Sequence, residues 1–310
     1  MKITKVYPVS GFLMAGLLAT GAASADIRWS GSVASVTVDT PEVEATLNDS
    51  NSPQGEAGGK VDATAITLTA SIGLNKGIGL GSDPRLEITA GWLDGDESET
   101  ERSRTGGLGF VPVDGSGPSD GDGSPDTVLN YDTDIQDISL DIMLREQLGG
   151  GQAFSWSAFG GLTLSQSQLD YLFDGSIPGI STEDEIETNY YGVGGGVDGV
   201  YSLSENVFLT AGARLDLLAR DSDLDVKQEI GANSYRVSDS DSGFSSRLGA
   251  QLGIAYKADA LTLGLIFSTS YLSDAPTVEH AVLDSNVFKT RLDSTSVTSY
   301  GVNLGAGLSF

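Results

Sequence analysis

The stretch Tyr300-Gly-Val-Asn-Leu-Gly-Ala-Gly-Leu-Ser-Phe310 decides how the rest of the chain is read. Tyr300, Val302, Leu304, Ala306, Leu308 and Phe310 alternate with Gly301, Asn303, Gly305, Gly307 and Ser309. Side chains of a strand point to opposite faces in turn. One face here suits hydrocarbon and the other a polar lumen, the two-sided pattern of a strand in a membrane-spanning barrel.

Working back from that segment, the same period recurs nine times. Its apolar phase is carried by Ile27, Trp29 and Val33; by Ile66, Leu68 and Ile72; by Leu86, Ile88 and Trp92; and by Ile138, Leu140 and Leu144. It continues through Phe154, Trp156 and Leu162; Tyr191, Val193 and Val197; Leu209, Leu215 and Leu217; Leu248, Leu252 and Ile254; and Leu261, Leu265 and Phe267. Together these predict an all-β, antiparallel up-and-down barrel of about ten strands, an even number of the kind bacterial barrels use. The connections alternate in expected length. Those at 75–84, 148–153, 202–206 and 257–260 are short, and those at about 39–60, 94–126, 166–188, 221–242 and 273–295 are expected to be long loops.

Charge placement tests that phase. Glu87, Asp137, Asp141, Arg145, Asp198, Arg214, Asp216, Arg220 and Arg247 all fall on the face opposite the apolar one. They are therefore expected to line the lumen, since an Arg turned outward at the bilayer midplane costs about 2–4 kcal/mol and a one-residue slip would expose several at once. Two roles are open to them: a salt-bridged plug whose partners offset the cost of burial, or a narrow charged constriction that selects solutes. The plug is favoured, because ten strands enclose little more space than the eight that side chains can fill. Trp29, Phe154, Trp156, Tyr201, Tyr256 and Phe310 are placed at one interface and Trp92, Tyr191, Phe244 and Tyr271 at the other, two aromatic belts. A soluble β-sandwich would also alternate, but it explains neither the terminal Phe310 nor the alternating loop lengths.

At the other end, Lys2 and Lys5 precede an apolar run from Gly11 to Ala23 and a small-residue exit at Ala23-Ser24-Ala25. This is the layout of a cleaved secretory signal. Residues 1–25 are read as that signal and 26–310 as one barrel domain. The absence of cysteine removes disulfides and metal–thiolate chemistry from an exported chain. With 43 acidic against 17 basic residues and a net charge of −26, nucleic acid is excluded as a partner.

The Phe310 segment resembles the C-terminal sorting signal of Gram-negative outer-membrane β-barrels. That resemblance implies the outer membrane as location, lipid and lipopolysaccharide as surroundings, and the barrel-assembly machinery as the partner that reads the last strand. It also sets the short turns and both termini in the periplasm. The expected loops are acidic, so surface Ca²⁺ or Mg²⁺ would have to offset repulsion from lipid phosphates. Within them Asp120, Asp122, Ser124 and Asp126 place oxygens at the alternate positions with which a calcium loop begins, without the Glu that completes one. No other cofactor is implied.

Pro125-Asp-Thr-Val-Leu-Asn-Tyr131 and Ala90-Gly-Trp92 are similar to stretches of omptins, the ten-stranded outer-membrane proteases. The resemblance implies the same scaffold and, for activity, an Asp pair with a His–Asp pair. Asp94 and Asp96 would stand for the first. The sole histidine, His280, lies one connection too late for the second. The expectation is a non-enzymatic outer-membrane barrel, either a narrow porin-like channel or a surface and envelope component. The alternative is an omptin-like hydrolase with a rearranged site.

Overall fold

A computed structural model describes residues 26–44, 56–75, 77–102, 109–110, 120–121, 128–151, 153–175, 180–284 and 287–309. The strands are β1 Ile27–Glu44, β2 Glu56–Gly73, β3 Ser82–Arg102, β4 Gly109–Phe110, β5 Asp120–Gly121, β6 Val128–Gly150, β7 Phe154–Gly175, β8 Ile180–Ser202, β9 Val207–Ile230, β10 Asn233–Ala258, β11 Leu261–Asp284 and β12 Val287–Ser309. Ten of them close into one antiparallel barrel in the order β1-β12-β11-β10-β9-β8-β7-β6-β3-β2, and β4 and β5 pair apart as a small ribbon. Closure is made by β1 and β12, with Arg28 opposite Ser309 and Val33 opposite Leu304. The alternating C-terminal segment thus seals the cylinder, and the barrel sheet has no open edge among the described residues.

The outer surface carries the phase read from the sequence. Val33, Leu68, Leu162, Val193, Leu215, Leu217, Leu248, Leu252 and Leu304 are all exposed. A soluble barrel would not leave such a belt in water; a bilayer accepts it. Phe154, Trp156, Tyr201 and Tyr256 border the belt at the short-turn end, and Tyr191, Phe244, Tyr271 and Tyr300 border it at the other, with Phe244 82% exposed. The molecule is a membrane-spanning β-barrel.

The far end differs from expectation. The regions 166–188, 221–242 and 273–295 are strand for most of their length: β9 runs unbroken to Ile230, two residues turn, and β10 begins at Asn233. Gly231 takes the left-handed conformation that turn requires, at φ 62°. The stretches read as long loops are polar because they stand in water beyond the bilayer, yet they keep the two-residue period. About 9–11 residues suffice to cross the membrane, whereas β10 has 26.

Above the upper aromatic belt the apolar phase reverses. On β9, Leu215 and Leu217 face outward, but Leu218, Leu224 and Val226 are buried, as are Leu169, Tyr171 and Phe173 on β7 and Ile186 on β8. The lower barrel is apolar outside, and the upper barrel has its core inside. The signal segment 1–25 and Phe310 lie outside the described residues.

Candidate functional site

Every second residue of a barrel strand enters the lumen, so β6 delivers Asp137, Asp141 and Arg145 to it, and β9 answers with Arg214, Asp216 and Arg220. The lumen is too narrow for these to stay apart. Arg214 of β9 grips Asp141 of β6 with both terminal nitrogens, at 2.7 and 2.8 Å, across two intervening strands. The same guanidinium donates to Thr163 at 2.7 Å and through Nε to Asp216 at 2.7 Å. The second oxygen of Asp216 accepts from Nε of Arg247 at 2.8 Å, and its side chain has no solvent exposure. Gly194 makes this possible, because a Cβ there would collide with the Asp216 carboxylate.

A second cluster lies nearer the short turns. Arg145 pairs with Glu87 at 2.9 Å and with Asp198, and its guanidinium stacks 5.1 Å above the Phe159 ring. Toward the opposite end, Arg220 pairs with Asp241 and donates to the carbonyl of Asp274. Asp137 sits between these levels, and its Oδ1 is buried without a hydrogen-bond partner. Of the nine charges expected in the lumen, eight are thereby joined by ion pairs.

Above the ion pairs the lumen holds an apolar cluster of Val43, Tyr131, Leu169, Tyr171, Phe173, Ile186, Leu224, Val226 and Val278, packed with the buried polar side chains of Thr133, Thr182, Asp184 and Gln228. Tyr131 meets Phe173 edge-on at 5.5 Å. Tyr171 donates its hydroxyl to the carbonyl of Pro41 at 2.8 Å, and β7 and β1 lie four strands apart around the barrel. That bond crosses the bore. The core escaped the sequence reading, although doublets such as Leu217-Leu218, where one apolar phase hands over to the other, carry its signal.

Below the ion pairs a cavity of about 910 Å³ occupies the short-turn end, bordered by Arg28, Arg85, Arg145 and Lys257 and by many hydroxyls. Arg85 is buried, bonded to Asp26 at 2.9 Å and Ser71 at 2.8 Å. The outer face of the upper barrel has the opposite character. Asp96, Asp134, Asp170, Glu185 and Asp225 stand directly opposite one another on β3, β6, β7, β8 and β9. Asp170 is pushed up to about 6: partial burial is the main cause, a hydrogen bond from Gln168 opposes it, and the charges of Glu185, Asp134 and Glu183 add to it. Asp225, hydrogen-bonded by Arg236 at 2.8 Å, is held below the ordinary carboxylate value.

Of the residues weighed for catalysis, Asp94 and Asp96 are exposed on the outward row of β3 that carries Trp92, so neither carboxylate enters the bore, and His280 lies on β11 with its backbone opposite Thr290. Of the calcium-like run, Asp120 belongs to β5, and Asp122, Ser124 and Asp126 lie outside the described residues. Among the described residues no group of three or more His, Cys, Asp or Glu could hold a metal ion.

No protein-family model and no curated sequence matches the chain. Among solved structures, it is similar to the outer membrane protease OmpT from Escherichia coli, with 11% identity and a TM-score of 0.47, covering 92% of this chain and 97% of that one. It is also similar to the translocator domain of the autotransporter NalP from Neisseria meningitidis, with 12% identity, a TM-score of 0.42 and coverage of 96% and 91%. A third is a major outer membrane protein from Thermus thermophilus, with 12% identity, a TM-score of 0.37 and coverage of 92% and 99%.

Proposed function

We propose that the protein is a closed outer-membrane barrel that acts as a surface and envelope component, without enzymatic activity and without a standing pore. The observation that carries this reading is the pair of stacked barriers in one bore: the Arg214–Asp141–Asp216–Arg247 ion pairs, and above them the apolar core braced by the bond from Tyr171 to Pro41. Ions crossing such a bore would have to break paired charges in a confined space and then pass a close-packed core, both costly. A porin-like role would need both barriers to part. The placement of Asp94 and Asp96 on the outward row of β3, away from the bore, speaks against an omptin-like protease, since hydrolysis needs its groups turned toward one another.

The acidic outer rows are where Ca²⁺ or Mg²⁺ would bridge to lipopolysaccharide phosphates, and the β12 strand is where assembly machinery would engage the chain. Planar-bilayer recording tests the central claim: the folded protein is expected to add no steady conductance. Stable unitary steps at neutral pH would refute the closed lumen in favour of a narrow channel. Cleavage of a fluorogenic dibasic peptide, lost in His280→Ala, would refute the non-enzymatic reading.

A further inference from the structure

The cavity at the short-turn end departs from the rest of the molecule in its charge. Acidic residues outnumber basic ones 43 to 17 along the chain, yet the cavity is bordered by Arg28, Arg85, Arg145 and Lys257 against Asp26, Asp83 and Glu87. The acids there are already engaged: Asp26 with Arg28 at 2.8 Å and Arg85 at 2.9 Å, Asp83 with Arg85 at 3.6 Å, and Glu87 with Arg145 at 2.9 Å. Lys257 has no ion-pair partner among the described residues, and it stands on the inward row of β10 with Gly253 and Gln251. The lining carries one more cation than acids, and because Arg145 is also paired with Asp198, the charge left to meet a guest is that of Lys257, in a concavity whose low-dielectric walls focus its field.

The remaining lining is hydroxylic. Ser30 and Ser32 of β1, Thr67 and Thr69 of β2 and Thr262 of β11 border the space. Ser32 and Thr67 bond each other at 2.7 Å, leaving lone pairs and one hydroxyl proton for a guest. At about 910 Å³ the cavity lies in the size range of small-molecule sites. Its rim residues Asp26, Asp83 and Lys257 are exposed, so a solute can enter from this end, while the pairs of Arg145 close the other. The acidic upper barrel would repel an anion, and Lys257 at this dead end would hold one.

We propose that this cavity is a periplasm-facing binding site for a small anionic polyol, a sugar phosphate or sugar acid, with Lys257 as the point charge that meets the anion, Arg28 of β1 assisting and the hydroxyl rows receiving the sugar. The site serves capture, not passage, because it ends at Arg145.

Equilibrium dialysis of the folded protein in zwitterionic detergent tests it, with labelled glucose 6-phosphate and labelled gluconate as separate probes and unlabelled glucose as competitor. Saturable one-site binding of either anion is expected, unaffected by equimolar glucose and weakened at least fivefold by Lys257→Gln but retained in Lys257→Arg. Resistance to unfolding before boiling, read from gel migration, verifies that each variant is folded. Absence of saturable binding for both anions, or equal affinity in wild type and Lys257→Gln, would overturn the proposal; competition by neutral glucose at equal concentration would remove its anionic basis.

Discussion

The lower and upper halves of the barrel are built from the same strands and follow opposite rules. On β9, Arg214 and Asp216 point inward and Leu215 and Leu217 outward; a few residues later Leu224 and Val226 point inward while Asp223 and Asp225 belong to the outward row. Backbone pairing does not change across that boundary, since β9 stays in register with β10 from Val207 to Ile230. What changes is the medium outside. Lipid demands an apolar exterior and leaves the bore to paired charges, whereas water accepts carboxylates outside and drives the apolar side chains into the bore. Alternation specifies a strand; only its phase, set against the surroundings, specifies which side is the core.

Three experiments probe the contrast, from the largest expected effect to the smallest. Arg214→Leu leaves Asp141 and one oxygen of Asp216 without their cation, and removing one partner of a buried pair costs about 3–5 kcal/mol. Urea unfolding in detergent, followed by tryptophan fluorescence, should show a loss of that size; an unchanged midpoint would mean that the pairs contribute nothing to holding the lower half. Next comes a matched pair on the outward row of β9. Leu215→Arg should cost about 2–4 kcal/mol in a bilayer, while Asp223→Arg, on the same row but in water, should stay within about 0.5 kcal/mol. Equal effects at the two positions, measured by unfolding in vesicles, would erase the boundary drawn between the halves.

The smallest effect concerns the acidic rows. Because the folded-state value of Asp170 is raised from 3.8 to about 6, the folded protein binds protons that the unfolded chain has already released. Stability therefore falls as pH rises through that window. Asp170→Asn should raise stability at pH 8 by about 1–2 kcal/mol, allowing for solvent screening, with the gain fading below about pH 4. A gain that persists at pH 3.5 would assign the effect to something other than charge.

The sequence is most legible where a membrane imposes its pattern. The lipid-facing rows and the connections around 74–81, 151–153, 203–206 and 259–260 could be read because a lipid-facing strand demands an apolar residue at every second position and keeps its charges on the opposite row. The upper halves were missed because Glu183-Asp-Glu-Ile-Glu187 is too polar to suggest a strand to a reader looking for an apolar outer face, although Ile186 is in fact buried. The inward row was legible residue by residue, but its pairings were not. That Arg214 reaches Asp141 and Arg145 reaches Asp198 depends on how strands that are not neighbours in the sheet line up across the bore, and no local period encodes that. Arg85, which lines the basic cavity, was overlooked because it sits at the mouth of a turn.

The tight bend at Gly231-Ala232 has a consequence for what other cells and molecules encounter. From Ala219, level with Phe244, to Ile230 the strand climbs roughly 30 Å along a tilted path. The bend is thus held aloft on a stiff ribbon well clear of the lipid, like a flag on a pole. A short peptide spliced between residues 231 and 232 would be displayed at that height for an antibody to find, without disturbing the cylinder beneath.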